Sequence, residues 1–129
     1  MELNEKVLLY HLLNQEIGKK IALILSELNI EVIEIKESDV NQKVGYLIGY
    51  EHFEKSETKV TDIPEKEMML FFNFSDDRLT LILDLLKQVG IPFIPLKAGV
   101  TPTNIEWSFY DLYHHVKKEY ESIYQTKLD

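Results

Sequence analysis

Residues 7–10, Val-Leu-Leu-Tyr, form a short unbroken apolar run, the pattern of a strand buried on both faces. The period then changes. Ile17, Ile21, Ile24, Leu25 and Leu28 recur on one stripe, which predicts an amphipathic helix over about 14–29. Gly18 falls in its first turns, where it costs about 1 kcal/mol against Ala. Residues 30–36 read as a strand in which Glu31 and Glu34 interrupt Ile30, Val32, Ile33 and Ile35, and that suits the edge of a sheet. A polar turn over 38–43 leads into a second, short helix over 44–50. There the spacing of Gly45 and Gly49 signals close packing or a helix end, since the surrounding segment is too short and polar for a membrane dimerisation motif.

The same order recurs in the second half. Residues 69–74, Met-Leu-Phe-Phe-Asn-Phe, replace the first strand. Ser75 can cap a helix whose first turn carries Asp76 and Asp77, whose buried stripe is Leu79, Ile82, Leu83, Leu86 and Val89, and which Gly90 stops. Residues 91–98 are expected as the fourth strand, with Pro92 and Pro95 confining it to an edge because neither can donate to a ladder. After a turn over 99–107 comes a longer helix over about 108–126, burying Phe109, Leu112, Tyr113, Val116, Tyr120 and Ile123.

Two pseudo-repeats, about 5–50 and 68–126, therefore make up one domain over 1–129. The connector 51–67 is densely charged, has no apolar period and contains Pro64, and it is expected to be a mobile loop. The fold predicted is α/β: a duplicated β-α-β-α unit with a four-stranded, mainly parallel sheet of order 2-1-3-4 and helices on both faces. This puts the greasiest strands in the middle and the Glu- and Pro-interrupted ones at the edges. A ferredoxin-like α+β sheet also centres the first and third strands. The sandwich is preferred because continuous apolar strands need cover on both faces and four helices are available.

Composition narrows the function. At 129 residues the chain can bury enough surface to fold without a disulfide or metal staple. Its net charge of -8 repels phosphate backbones, and of its 14 basic residues only Arg78 offers the planar fork that grips phosphate, so no nucleic-acid partner is expected. Cysteine is absent, which removes thiolate metal sites and sulfur nucleophiles together. The segment 1–6 lacks a basic leader pattern, and no apolar run reaches the roughly 20 residues that span a bilayer, so a soluble cytoplasmic protein with no membrane partner is expected.

The chain carries no phosphate-binding glycine loop, zinc-protease helix, nucleophile elbow or calcium loop. Asp111, His115 and Glu119 share a stripe of the last helix and could form a ligand or acid-base set. With Lys117 and Lys118 alongside, the spacing equally describes a solvated, charge-paired face, and that reading is preferred. His114 points about 100° away, so the adjacent histidines are no chelate. His52 lies in the charged connector and is expected to be exposed. Neither a metal nor a cofactor is expected. Most of the seven Tyr, six Phe and one Trp fall on core stripes, not on a stacking platform.

The most singular stretch is 97–107. Met69 to Glu121, with its Phe-Asn-Phe-Ser strand end, Lys97-Ala98, Thr101-Pro-Thr-Asn104 and Trp107, resembles the bacterial domain of unknown function family 3783. The resemblance covers the second half and implies a fold neighbourhood and a bacterial origin, but no reaction. In a parallel sheet all strand carboxyl ends would open on one rim, carrying His11, Asn14, Lys36, Asn41, Asn73, Ser75, Lys97, Thr101, Thr103 and Asn104. His11, Asn73, Ser75, Lys97, Thr101, Thr103 and Asn104 are the ligand-binding candidates, and Trp107 is the structural anchor of the turn. The function expected is a non-catalytic module that binds a small molecule or a protein and self-associates as a homodimer. The alternative is a small enzyme with its site at the strand ends, using His11 as acid or base and Lys97 to hold an anion.

Overall fold

The computed structural model describes residues 4–128. Strand β1 (Lys6–Tyr10) is followed by helix α1 (Glu16–Glu27), strand β2 (Glu31–Ile35), a 3₁₀ turn (Glu37–Asp39) and helix α2 (Val44–Ile48). The second unit repeats this order with β3 (Met68–Phe72), α3 (Asp76–Gln88), β4 (Leu96–Gly99), a 3₁₀ turn (Asn104–Glu106) and α4 (Phe109–Tyr124). The sheet runs β2-β1-β3-β4, as the apolar content of the strands dictates. β1 pairs parallel with β2 and β3 parallel with β4, while the central β1–β3 pair is antiparallel, with Leu8 opposite Leu70.

That central pair sets the layering. Right-handed crossovers put both connecting helices on the same face once the two units face opposite ways. α1 and α3 bring Ile21, Leu25, Ile82 and Leu86 onto Val7, Leu9, Met69 and Phe71. α2 and α4 cover the other face, where Val44, Ile48, Phe109, Leu112 and Tyr113 meet Leu8, Tyr10, Leu70 and Phe72. Helices on both faces set aside the ferredoxin-like alternative. Each fully buried aliphatic side chain in these two cores contributes about 1.5–3 kcal/mol of hydrophobic stabilisation. In the outer layer Lys43 bridges Ser108, and the amide of Val44 donates to the Trp107 carbonyl at 2.9 Å. The central and outer pairs both join corresponding positions of the two units.

Four local features differ from the sequence reading, the first being Ile123, expected in the buried stripe of α4 but 72% exposed near the end of that helix. β4 begins only at Leu96, because Pro92 and Pro95 leave the stretch before it unable to sustain a ladder, and Ile91 and Ile94 are buried in a loop instead. Gly18 is no mere cost to α1: a Cβ there would lie 1.8 Å from the Leu12 carbonyl oxygen, so the helix rests directly on that backbone. The connector 51–67 has no helix or strand, yet it is no free tether. Its Pro64 and Lys59 carbonyls accept from Tyr10 Oη at 2.6 Å and Asn41 Nδ2 at 2.6 Å, and the Lys66 amide donates to Tyr113 Oη at 2.8 Å. Gln42 holds Ser56 through both its amide atoms, and Phe53 lies against Gly45, where a Cβ would strike its ring. Gly49, with φ 90, ends α2 in the left-handed conformation.

Candidate functional site

The antiparallel centre divides the expected rim in two. The connector hangs on Tyr10 and His11 at the carboxyl end of β1, so β3 starts there, with Met68 opposite Tyr10. His11, Asn14, Lys36 and Asn41 follow the first pair of strands at one end of the sheet. Asn73, Ser75, Thr101, Thr103 and Asn104 follow the second pair at the opposite end. A single polar rim built from all ten residues is therefore corrected to two separate ones.

At the first end, His11 sits in the left-handed region (φ 57), its ring stacked on Tyr10 at 4.0 Å. Nδ1 meets the Glu65 carbonyl at 3.1 Å and Nε2 meets Glu37 Oε2 at 2.7 Å, so both ring nitrogens are occupied. Tyr10 packs against Phe109 and Tyr113 on the α2–α4 face, and burial pushes its phenol far above the usual range.

At the second end Ser75, Thr101 and Asn104 bond to their own local backbone. Ser75 Oγ caps α3 by accepting from the Arg78 amide at 3.1 Å. Thr101 and Asn104 form a reciprocal pair: the Thr101 amide donates to Asn104 Oδ1 at 2.8 Å and the Asn104 amide to Thr101 Oγ1 at 3.0 Å. Asn104 Nδ2 adds a bond to the Gly99 carbonyl at 3.0 Å, and the side chain is buried. Thr103 is exposed at the start of the 3₁₀ turn. Trp107 is half-buried against the α2–α4 core, its indole edge-on to His115 at 5.2 Å. On α4, His115 Nε2 lies 3.3 Å from Glu119 Oε1, and among the described residues no group of three acidic or histidine side chains could hold a metal. Arg78, the sole arginine, is committed to Glu5 at 2.9 Å.

Lys97 belongs to neither polar end. β4 runs parallel to β3 with Lys97 beside Met69, which places it on the α1–α3 face, across the sheet from the His11 ring. His11 is thus not brought together with Lys97 or with Asn73. Lys97 instead lies in a cleft of about 440 Å3 between the carboxyl half of α3 and the loop before β4. Met69, Leu83, Leu86, Ile91 and Ile94 give it apolar walls, and Phe93, 69% exposed, stands at its edge. Lys97 Nζ donates to the Ile94 carbonyl and sits 4.0 Å from the centre of the Phe93 ring. Burial holds its pKa below the usual lysine value. Asp84 and Lys87 of α3 also line the cleft, but among the described residues no carboxylate forms an ion pair with Lys97. The cleft was not legible in the sequence, because a strand over 91–98 leaves no loop to wall it. The signal for it was the Pro92–Pro95 pair bracketing two apolar residues.

The architecture is that of a two-unit, three-layer α/β sandwich. A family model described as a domain of unknown function (DUF3783) matches residues 67–123, from just before β3 to near the end of α4, so the second half of the chain is similar to that family. The matched stretch contains both the Lys97 cleft and the Thr101–Asn104 turn. No curated protein and no solved structure matches the chain. Among the described residues no helix is long and apolar enough to cross a membrane.

Proposed function

We propose that this is a non-catalytic, cytoplasmic ligand-binding protein whose site is the cleft between α3 and β4. The observation that carries this reading is the cleft itself: an apolar concavity of about 440 Å3, within the size range of small-molecule sites, holding one half-buried ammonium. Ser75, Thr101 and Asn104 are spent on a cap and a turn, and His11 has no free nitrogen to offer a substrate. The shared element order of the two units, with corresponding residues pairing at Leu8–Leu70 and Lys43–Ser108, supports an internal duplication of one bacterial β-α-β-α unit. In that reading the second unit kept the binding cleft. A thermal-shift screen of small apolar compounds tests the site, run on the parent and on Leu83→Trp, which fills the cleft from its half-buried wall. Compounds should stabilise the parent and lose their effect in the variant. Hits that stabilise both equally would place the site elsewhere, and a screen without hits would count against a ligand-binding role.

A further inference from the structure

Resting on the cleft as the ligand site, the surroundings of Lys97 specify what the ligand must carry. An ammonium withdrawn from water is costly unless an opposite charge meets it. Here its partners are a carbonyl oxygen and the face of an aromatic ring, neither with a full negative charge. Lys87 adds a second cation to the cleft wall and Asp84 a single anion, so the cleft is locally positive on a chain of net charge -8. The rest of the wall is aliphatic and aromatic surface. We propose that the cleft takes a small organic monocarboxylate, its carboxylate on Lys97 Nζ and its apolar chain along Leu83, Leu86 and Ile94.

A carboxylate fits better than a phosphate. Phosphate sites use several converging donors, usually a helix amino terminus or arginine forks. This cleft instead borders the carboxyl half of α3, where the macrodipole is negative, and supplies one lysine at its centre. A singly charged head can be held there, whereas a dianion would face the dipole with too few donors. Phe93 covers the amine from one side, which keeps water from solvating the pair and strengthens it.

The test compares three probes with one tail and different heads, decanoate, decanol and decylamine, titrated into the full chain by calorimetry. Decanoate should bind about tenfold or more tighter than either of the others, a difference of about 1.4 kcal/mol or more. In Lys97→Met that preference should vanish while decanol binding persists. Equal binding of decanoate and decanol by the parent would overturn the carboxylate assignment and leave the apolar site standing. Tighter binding of decylamine would overturn it too, with Asp84 as the head-group partner. Failure of all three to bind would overturn both this assignment and the ligand-binding reading.

Discussion

Tyr10 donates its hydroxyl to the Pro64 carbonyl at 2.6 Å, and that bond joins the end of β1 to the residues that launch β3. Because the bond is buried, Tyr10→Phe leaves a carbonyl without a partner. The expected loss is about 1–3 kcal/mol of stability in urea melts, with the slope unchanged. A variant as stable as the parent would mean that the connector does not hold the two units in place.

Gly18→Ala opposes two effects. Helix propensity alone favours Ala by about 1 kcal/mol. The Leu12 carbonyl oxygen, however, would lie 1.8 Å from the new Cβ, and it belongs to backbone that can move only by shifting α1 off the sheet. Overpacking of this kind costs about 1–3 kcal/mol or more, so the variant should melt lower than the parent. A higher melting temperature would contradict the packing described here.

In the turn after β4, Asn104 satisfies the Thr101 amide and the Gly99 carbonyl at once. Asn104→Ala should therefore cost about 1–3 kcal/mol, more than an ordinary cap would. Trp107→Ala, which empties half-buried space against α2 and α4, should cost about 3 kcal/mol, at the lower end of the range for aromatic truncation. Chemical denaturation of both variants checks these values, and a Trp107→Ala protein of parental stability would remove the anchor role.

Lys97 should carry its binding role at a cost to the fold. Its pKa is lowered from 10.5 by burial, so at neutral pH the folded chain holds a charge that the unfolded chain solvates better. Folding stability contributed through this group rises as pH climbs from the lowered value towards 10.5, where both states become neutral. Lys97→Met should accordingly melt above the parent at neutral pH, and the gap should close as the pH becomes strongly alkaline. A variant less stable than the parent at neutral pH would show that Ile94 and Phe93 more than compensate the burial of the amine.

Strand order could be read from the sequence because it follows burial: 7–10 and 69–74 are apolar on both faces, while Glu31, Glu34, Pro92 and Pro95 mark the edges. Helix stripes were legible for the same reason, and the observed α1, α3 and α4 lie within a few residues of them. Strand direction was not, since an apolar run reads alike from either end. The reversal at β3 depends on Tyr10, His11, Asn41, Gln42 and Tyr113 capturing backbone of a charged segment far away in sequence, and no local pattern encodes such bonds. Lys97 stands out in the sequence as a basic residue at a strand end, but its neighbours do not, because the loop that carries Phe93 and Ile94 reads as strand.

The most direct measurement of the central claim is an NMR titration of the Lys97 side chain with and without saturating decanoate. Binding of a carboxylate to the ammonium should raise the Lys97 pKa back towards 10.5 and shift the Leu83, Leu86 and Ile94 methyl signals with the same midpoint. A Lys97 titration curve unmoved by saturating decanoate, with methyl shifts confined to other parts of the molecule, would contradict it.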